Sequence, residues 1–426
     1  MGYRQMYPVR IRVTVVAMLL LLAIAPRNAA AYSVLAHEAM IDAAWDDQIA
    51  PLLRRQFPGT PAEALRTARA YAYGGSLIQD LGYYPFGSRF FSNLVHYVRS
   101  GDFVEALMRE AKDVNEYAFA LGALAHYASD NVGHPTAVNR AVPILFPKVG
   151  AKYGADVLYV QSPAQHLMAE FAFDVLQIAR GTFKADVYQD LIGFEVAEEV
   201  LDRAFRATYG FGLDDVFGDV DLAIGTYRRA ASETIPDMTR MAWVEKRDEI
   251  IAATPGLTEG DFVFSMTRQQ YEEKYGTTYR KPSLFARFIV TIFKILPKFG
   301  PFKPLAFEPL TPETEKMFLD SFAASGTLFG ELLQRARSAT SGVPDTDLDT
   351  GMPPAPGVNE LADKTYDELL TELSDRAFIG VPPALRAAIN EHYSSPVSSG
   401  GQPAVREKKV TRQLAALNAG VTATAN

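Results

Sequence analysis

Tyr117-Ala-Phe-Ala-Leu-Gly-Ala-Leu-Ala-His126-Tyr-Ala-Ser-Asp130 spaces its apolar residues by three and four and sets a histidine four residues before an aspartate. That period reads as an α-helix, in which residues four apart share a face, so His126 and Asp130 can offer a nitrogen and an oxygen to one ion. His166 and Glu170 repeat the H-x-x-x-[DE] spacing at the head of a second helical pattern, Leu167 to Ala179. Glu195 to Tyr209 and Asp219 to Ala231 read as further amphipathic helices, and few segments alternate as strands do. The expected fold is all-α: a multi-helix bundle whose ligands project inward, with a helical and partly disordered C-terminal extension.

Working outward from the two pairs, the chemistry-bearing residues form a series: His37, Asp80, His96, His126, Asp130, His134, His166 and Glu170. The chain has six histidines, and only His392 lies outside this series, where it reads as a solvent-facing residue. Imidazoles and carboxylates grouped in this way suit a multinuclear zinc site. His126, Asp130 and His134 are successively four apart, one helical stripe. Gly133 and Pro135 suggest that the helix ends there, which would let His134 serve a second ion.

Residues 1–31 carry Arg4, Arg10 and Arg12, the apolar run Val13 to Ala25, and Ala29-Ala30-Ala31, the pattern of a cleaved export signal too short to span a bilayer comfortably. Cleavage after Ala31 would expose the Tyr32 amine as a metal ligand. It would also remove Arg4, Arg10, Arg12 and Arg27 and no acid, leaving 38 basic against 50 acidic residues. That balance argues against general nucleic-acid or membrane binding by bulk charge. The chain has no cysteine, so disulfides, thiolate ligands and a lipidated N-terminal cysteine are excluded, and metal bonds would take the place of disulfides in an exported protein.

These segments, over about residues 32 to 175, resemble the zinc-dependent phospholipase C and S1/P1 nuclease superfamily, and its phospholipase C branch more closely. Tyr32-Ser-Val-Leu-Ala-His37 matches the family's aromatic N-terminus and following histidine, with Tyr in place of the usual Trp. Asp80 and His96 match its Asp and His some fifteen residues apart, and Gly122-Ala-Leu-Ala-His126-Tyr-Ala-Ser-Asp130 matches G-x-x-x-H-x-x-x-D. His166-Leu-Met-Ala-Glu170 matches its last pair, with the Glu of the phospholipases rather than the Asp common in the nucleases. One departure stands out: the histidine expected six residues past Asp130 is Thr136 here, and the nearest candidate is His134.

Carried over, the resemblance implies three Zn2+ ions. Asp80, His96, His126 and Asp130 would hold one; His134, His166 and Glu170 a second; the Tyr32 amine and carbonyl, His37 and bridging Asp130 the third. Such clustered dications lower the pKa of water and neutralise charge on a phosphoryl oxygen, so that metal-bound hydroxide would attack phosphorus in line. Asp80 can serve as a ligand alone or also as a general base.

Leu81-Gly82-Tyr83-Tyr84-Pro85-Phe86 places Tyr83, Tyr84 and Phe86 where they can hold a quaternary ammonium group, stack a nucleobase, or pack the loop onto the core. Arg280 to Phe307 contains six basic residues and no acid. Ser283, Arg287, Thr291 and Lys294 draw one polar stripe on an otherwise apolar helix, which suits either a lipid interface or a core helix with one wet side. The expected organisation is a signal over 1–31, a catalytic region over 32–275, the basic hydrophobic and helical region over 276–340, a proline-rich linker over 341–358 and a helical, poorly ordered tail over 359–426. The function this implies is an exported zinc-dependent phosphodiesterase acting on phospholipids. A single-strand nuclease of the S1/P1 type and a non-catalytic zinc-containing lipid-binding protein are the rivals.

Overall fold

The computed structural model describes residues 34–179, 195–229, 310–338, 342–394 and 404–423, with isolated positions between 243 and 258. Tyr32 and the basic stretch 280–307 lie outside the described residues. Among the described residues the architecture is helical, and the one β-bridge joins Asp347 to Met352. The all-α expectation holds.

The helices that build the site are α1 (Val34–Ala44), α2 (Ala62–Leu77), α3 (Arg89–Tyr97), α4 (Ser100–Glu110), α5 (Val114–Gly133), α6 (Asn139–Leu145), α7 (Pro163–Ala179) and α8 (Glu198–Tyr209). Pro312–Arg337 (α9) and Glu360–Asp375 (α10) follow. The centre of the molecule is α5, buried all round from Glu116 to Asp130, as expected of a helix whose sequence is apolar on every face. Asp113 starts it by accepting the N–H groups of Asn115 and Glu116. Helices α2, α4 and α9 pack around it.

The approach of α2 to α5 is unusually close because small residues face each other. A Cβ on Gly122 would stand 2.0 Å from the Ala72 carbonyl oxygen, and one on Gly75 would stand 1.9 Å from that of Phe119. Two backbones in direct contact leave no layer of side chains between them. The histidine one turn beyond Gly122 is therefore delivered against the end of α2.

Two sequence expectations change here. The chain does not end its helix at Gly133 and Pro135: it widens into a π-turn over His134–Val138 and continues as α6. The wider turn absorbs Pro135, which has no N–H to give, and the His134 N–H still reaches the Asp130 carbonyl. The second concerns the proline-rich stretch expected to be a linker. Tyr127 donates to the Pro344 carbonyl, Ser100 to that of Thr346, and the Leu348 N–H to that of His96. Leu348 is fully buried, and Asn359 caps α10 by accepting the Leu361 N–H. The stretch is a strap across the bundle, since its prolines exclude a helix while its alternating acids and Leu348 supply fastenings. Beyond it, Ala404–Ala423 is helical. His392 is buried and stacks on Tyr366 with ring centroids 3.8 Å apart, contrary to the solvent-facing expectation.

Candidate metal centre

Six elements bring the series together. His37 comes from the first turn of α1, Asp80 from the tight 3-10 turn Ile78–Tyr83 that follows α2, and His96 from the last turn of α3. His126 and Asp130 come from α5, His134 from the π-turn, and His166 and Glu170 from one stripe of α7. All eight are buried, the most exposed being His134 at 4%. Asp174, one turn beyond Glu170, accepts the N–H groups of Leu35 and Ala36 and so pins the start of α1, which sets the position of His37.

Three of the histidines are oriented by a backbone carbonyl at the far nitrogen. His126 Nδ1 stands 2.9 Å from the Ser76 carbonyl and His96 Nδ1 stands 2.7 Å from that of Ser92. A carbonyl only accepts, so each Nδ1 carries a hydrogen and each ring turns its Nε2 inward. His166 is turned the other way, with Nε2 against the Val157 carbonyl and Nδ1 facing Glu170 at 3.8 Å. Rings held from behind in this way are characteristic of metal-bound histidines.

The inward atoms form a compact set. Asp130 Oδ2 lies 3.0 Å from His126 Nε2 and 3.4 Å from His96 Nε2. His96 Nε2 lies 3.4 Å from His126 Nε2 and 3.5 Å from Asp80 Oδ1. Bonds of about 2.0–2.1 Å in a tetrahedron place ligand atoms about 3.4 Å apart, so the spacing suits one zinc ion. Two imidazole nitrogens facing each other at that distance need a cation, a proton or a metal ion, between them.

Asp130 turns its other oxygen, Oδ1, towards His37 Nε2 at 3.4 Å, the posture of a carboxylate shared between two centres. His37, His126 and Asp130 form one tight cluster and Asp80, His96 and His126 another. His134, His166 and Glu170 are more loosely grouped: the His134 and His166 ring centroids are 6.2 Å apart, and His134 Nε2 is 3.9 Å from Asp130 Oδ2. Thr136, at the position where the family's histidine is expected, is exposed and bonded back to the Val132 carbonyl.

Charge tells the same story. Both oxygens of Asp130 and of Glu170, Asp80 Oδ1 and His166 Nδ1 are buried without a hydrogen-bond partner among the described residues. Burial, and then the carboxylates of Asp80, Asp130, Asp349 and Asp174, push the Glu170 carboxyl well above its usual range. Burial opposes ionisation of Asp130 too, but the surrounding histidines, His126 foremost, hold it well below the carboxylate range. Burial and the neighbouring His126 drive His37 well down, while His96, against the pull of burial, is driven up to about 10 by Asp130 and Asp80. The buried arginine among the described residues, Arg99, is engaged with Asp102 and the Thr208 carbonyl. A set of buried donors with this charge and spacing fits divalent zinc.

The aromatic loop divides. Tyr83 is buried with its ring 5.8 Å from that of His96, Tyr84 stacks on Tyr227 at 4.0 Å, and Phe86 is 41% exposed with φ at +66°. Sequence reading missed three contributors. Tyr159 stands 6.2 Å from Tyr83 and 5.9 Å from His166. Asp349 contacts His134, and Asp347 folds the turn that carries Asp349. A lone tyrosine gives no signal; the alternating acids of Asp345-Thr-Asp-Leu-Asp349 around a buried leucine were the available one.

Residues 36–216 match the family described as zinc dependent phospholipase C. This part of the chain is a zinc-dependent phospholipase C domain. The domain is that of a phospholipase C-type phosphodiester hydrolase acting on phospholipids. It spans every ligand candidate from His37 to Glu170 and stops well short of the strap. No curated protein and no solved structure matches the chain.

Proposed function

We propose that the chain is an exported phospholipase C whose multinuclear zinc centre is held by Tyr32, His37, Asp80, His96, His126, Asp130, His134, His166 and Glu170. The observation that carries this is the convergence of the His96, His126, Asp80 and Asp130 ligand atoms at separations of 3.0–3.5 Å. Zinc bound there lowers the pKa of water towards neutrality and offsets charge on a phosphoryl oxygen. Three ions accord with two tight clusters plus the looser His134, His166 and Glu170 group. The place of Tyr32 accords with the pinned start of α1, two residues beyond it, and export accords with the leader pattern of residues 1–31.

The remaining work falls to side chains. Asp80 sits beside Tyr83 and can take the proton released when water adds to phosphorus. Burial, and the Asp80 carboxylate next to it, push the Tyr83 phenol well up, so it remains a hydrogen-bond donor for a phosphoryl oxygen at neutral pH. Burial does the same for Tyr159. Tyr83 and exposed Phe86 offer ring faces to a lipid head group, with Tyr84 backing the loop against Tyr227. The basic stretch 280–307 would meet the membrane surface.

The test is hydrolysis of phosphatidylcholine vesicles and of single-stranded nucleic acid by the zinc-loaded mature protein. We expect phosphorylated head group from the first and no nucleotides from the second, with Asp80→Asn at least 100-fold slower. Nucleotide release without head group would replace this reading with a nuclease, and full activity of Asp80→Asn would remove its proton role.

A further inference from the structure

Asp349 is buried at 2% exposure and belongs to the strap, 215 residues along the chain from His134. Its Oδ1 stands 3.1 Å from His134 Nδ1. Every other polar atom of the residue is also engaged. Oδ2 accepts the Tyr159 N–H at 3.1 Å, the carbonyl accepts Asn139 Nδ2 at 2.8 Å, and the N–H donates to Asp347 Oδ1 at 2.9 Å. The turn beneath it is built in its own right. Asp347 also accepts the Thr350 N–H and, through Oδ2, Asn359 Nδ2. Asp349 is thus held against the imidazole by Tyr159, by Asn139 and by its own turn through Asp347.

A carboxylate that accepts from Nδ1–H fixes which nitrogen of the ring carries the hydrogen, leaving the Nε2 lone pair directed at Asp130. His134 needs such an anchor more than its neighbours do. It lies in a widened turn, and its Nδ1 meets no backbone carbonyl of the kind that holds His96 and His126. We propose that Asp349 is the positioning residue for His134, so that a strap lying beyond the matched domain completes the metal centre. The inference rests on the reading of His134 as a zinc ligand.

Zinc affinity, measured by competition with a chromophoric chelator, tests it in Asp349→Ala, Asp349→Asn, His134→Ala and the His134→Ala/Asp349→Ala double variant. Ser100→Ala, which loosens the strap at Thr346 without touching His134, is the control. Circular dichroism and the visible bands of the cobalt-substituted proteins are recorded alongside. We expect Asp349→Ala to weaken one zinc by 10- to 100-fold and to shift the cobalt bands. Asp349→Asn keeps an acceptor for Nδ1–H and should recover part of the loss. The double variant should be no worse than His134→Ala, and Ser100→Ala should leave affinity and bands unchanged.

If Asp349→Ala unfolds, the nearly isosteric Asp349→Asn supplies the same readout. Additive losses in the double variant, or an equal loss in Ser100→Ala, would overturn the positioning role. Parent-like zinc binding by His134→Ala would instead remove the ligand reading beneath it.

Discussion

At the scale of single residues, the centre depends on groups that leave no room for alternatives. Gly122 is the clearest case, since its missing side chain allows α5 to touch α2 and lets His126 reach the Ser76 carbonyl at 2.9 Å. Gly122→Ala forces a Cβ against the Ala72 carbonyl oxygen, a backbone atom that cannot rotate away. We expect a loss of at least about 2 kcal/mol in urea unfolding together with weaker zinc retention. Stability and zinc content equal to the parent would show that the close approach is dispensable. Much at this scale was legible in the sequence because helical spacing is local: His126 with Asp130, and His166 with Glu170, need only one turn to meet. Asp349 was not legible, because nothing within ten residues of it signals His134. Its contact exists only after 215 residues of chain have folded back. His392 carried a usable hint, lying on the same face as buried Leu385 and Ile389.

At the scale of elements, the strap is the part that sequence reading misjudged. Prolines exclude helix and strand, and in isolation such a stretch reads as a spacer. What fastens it is a set of backbone carbonyls and carboxylates meeting donors on α4 and α5, and the Leu348 N–H given to the His96 carbonyl of α3, which composition does not reveal. Those fastenings carry a pH dependence. Burial, and then the Asp349 carboxylate, push Asp347 up to about 7, whereas an unfolded aspartate titrates near 3.9. Between about pH 4 and 7 the folded chain keeps a proton that the unfolded chain has lost, so this residue's contribution falls as pH rises, by up to about 1.4 kcal/mol per unit. Asp347→Asn removes the titration. Its stability in urea should therefore gain on the parent's between pH 4.5 and 7.5, and parallel pH profiles would contradict the assignment. The π-turn at His134–Val138 is a second element of this kind: the sequence signs of a helix end, Gly133 and Pro135, are absorbed by one wider turn that keeps His134 on the stripe.

At the scale of the whole molecule, the question is what balances the buried charge. Glu38, Asp80, Asp130, Glu170, Asp174, Asp347 and Asp349 are all at most 3% exposed, and Arg99 is engaged elsewhere. With no cysteine there is no disulfide to hold such a core against its own repulsion. Zinc that binds the folded chain alone contributes about 4 kcal/mol when present at a thousand times its dissociation constant. The fold class was legible because helical periodicity runs through most of the described chain, and the domain's family was legible through the ligand spacing. The joining of the domain to its C-terminal strap was not, since it consists of single contacts between distant segments. The most direct measurement is elemental analysis of the purified mature protein after dialysis, beside His126→Ala, whose missing nitrogen belongs to both tight clusters. The account predicts three zinc ions per chain in the parent and the loss of at least one in the variant; a parent holding less than one, or a variant holding as many as the parent, would contradict it.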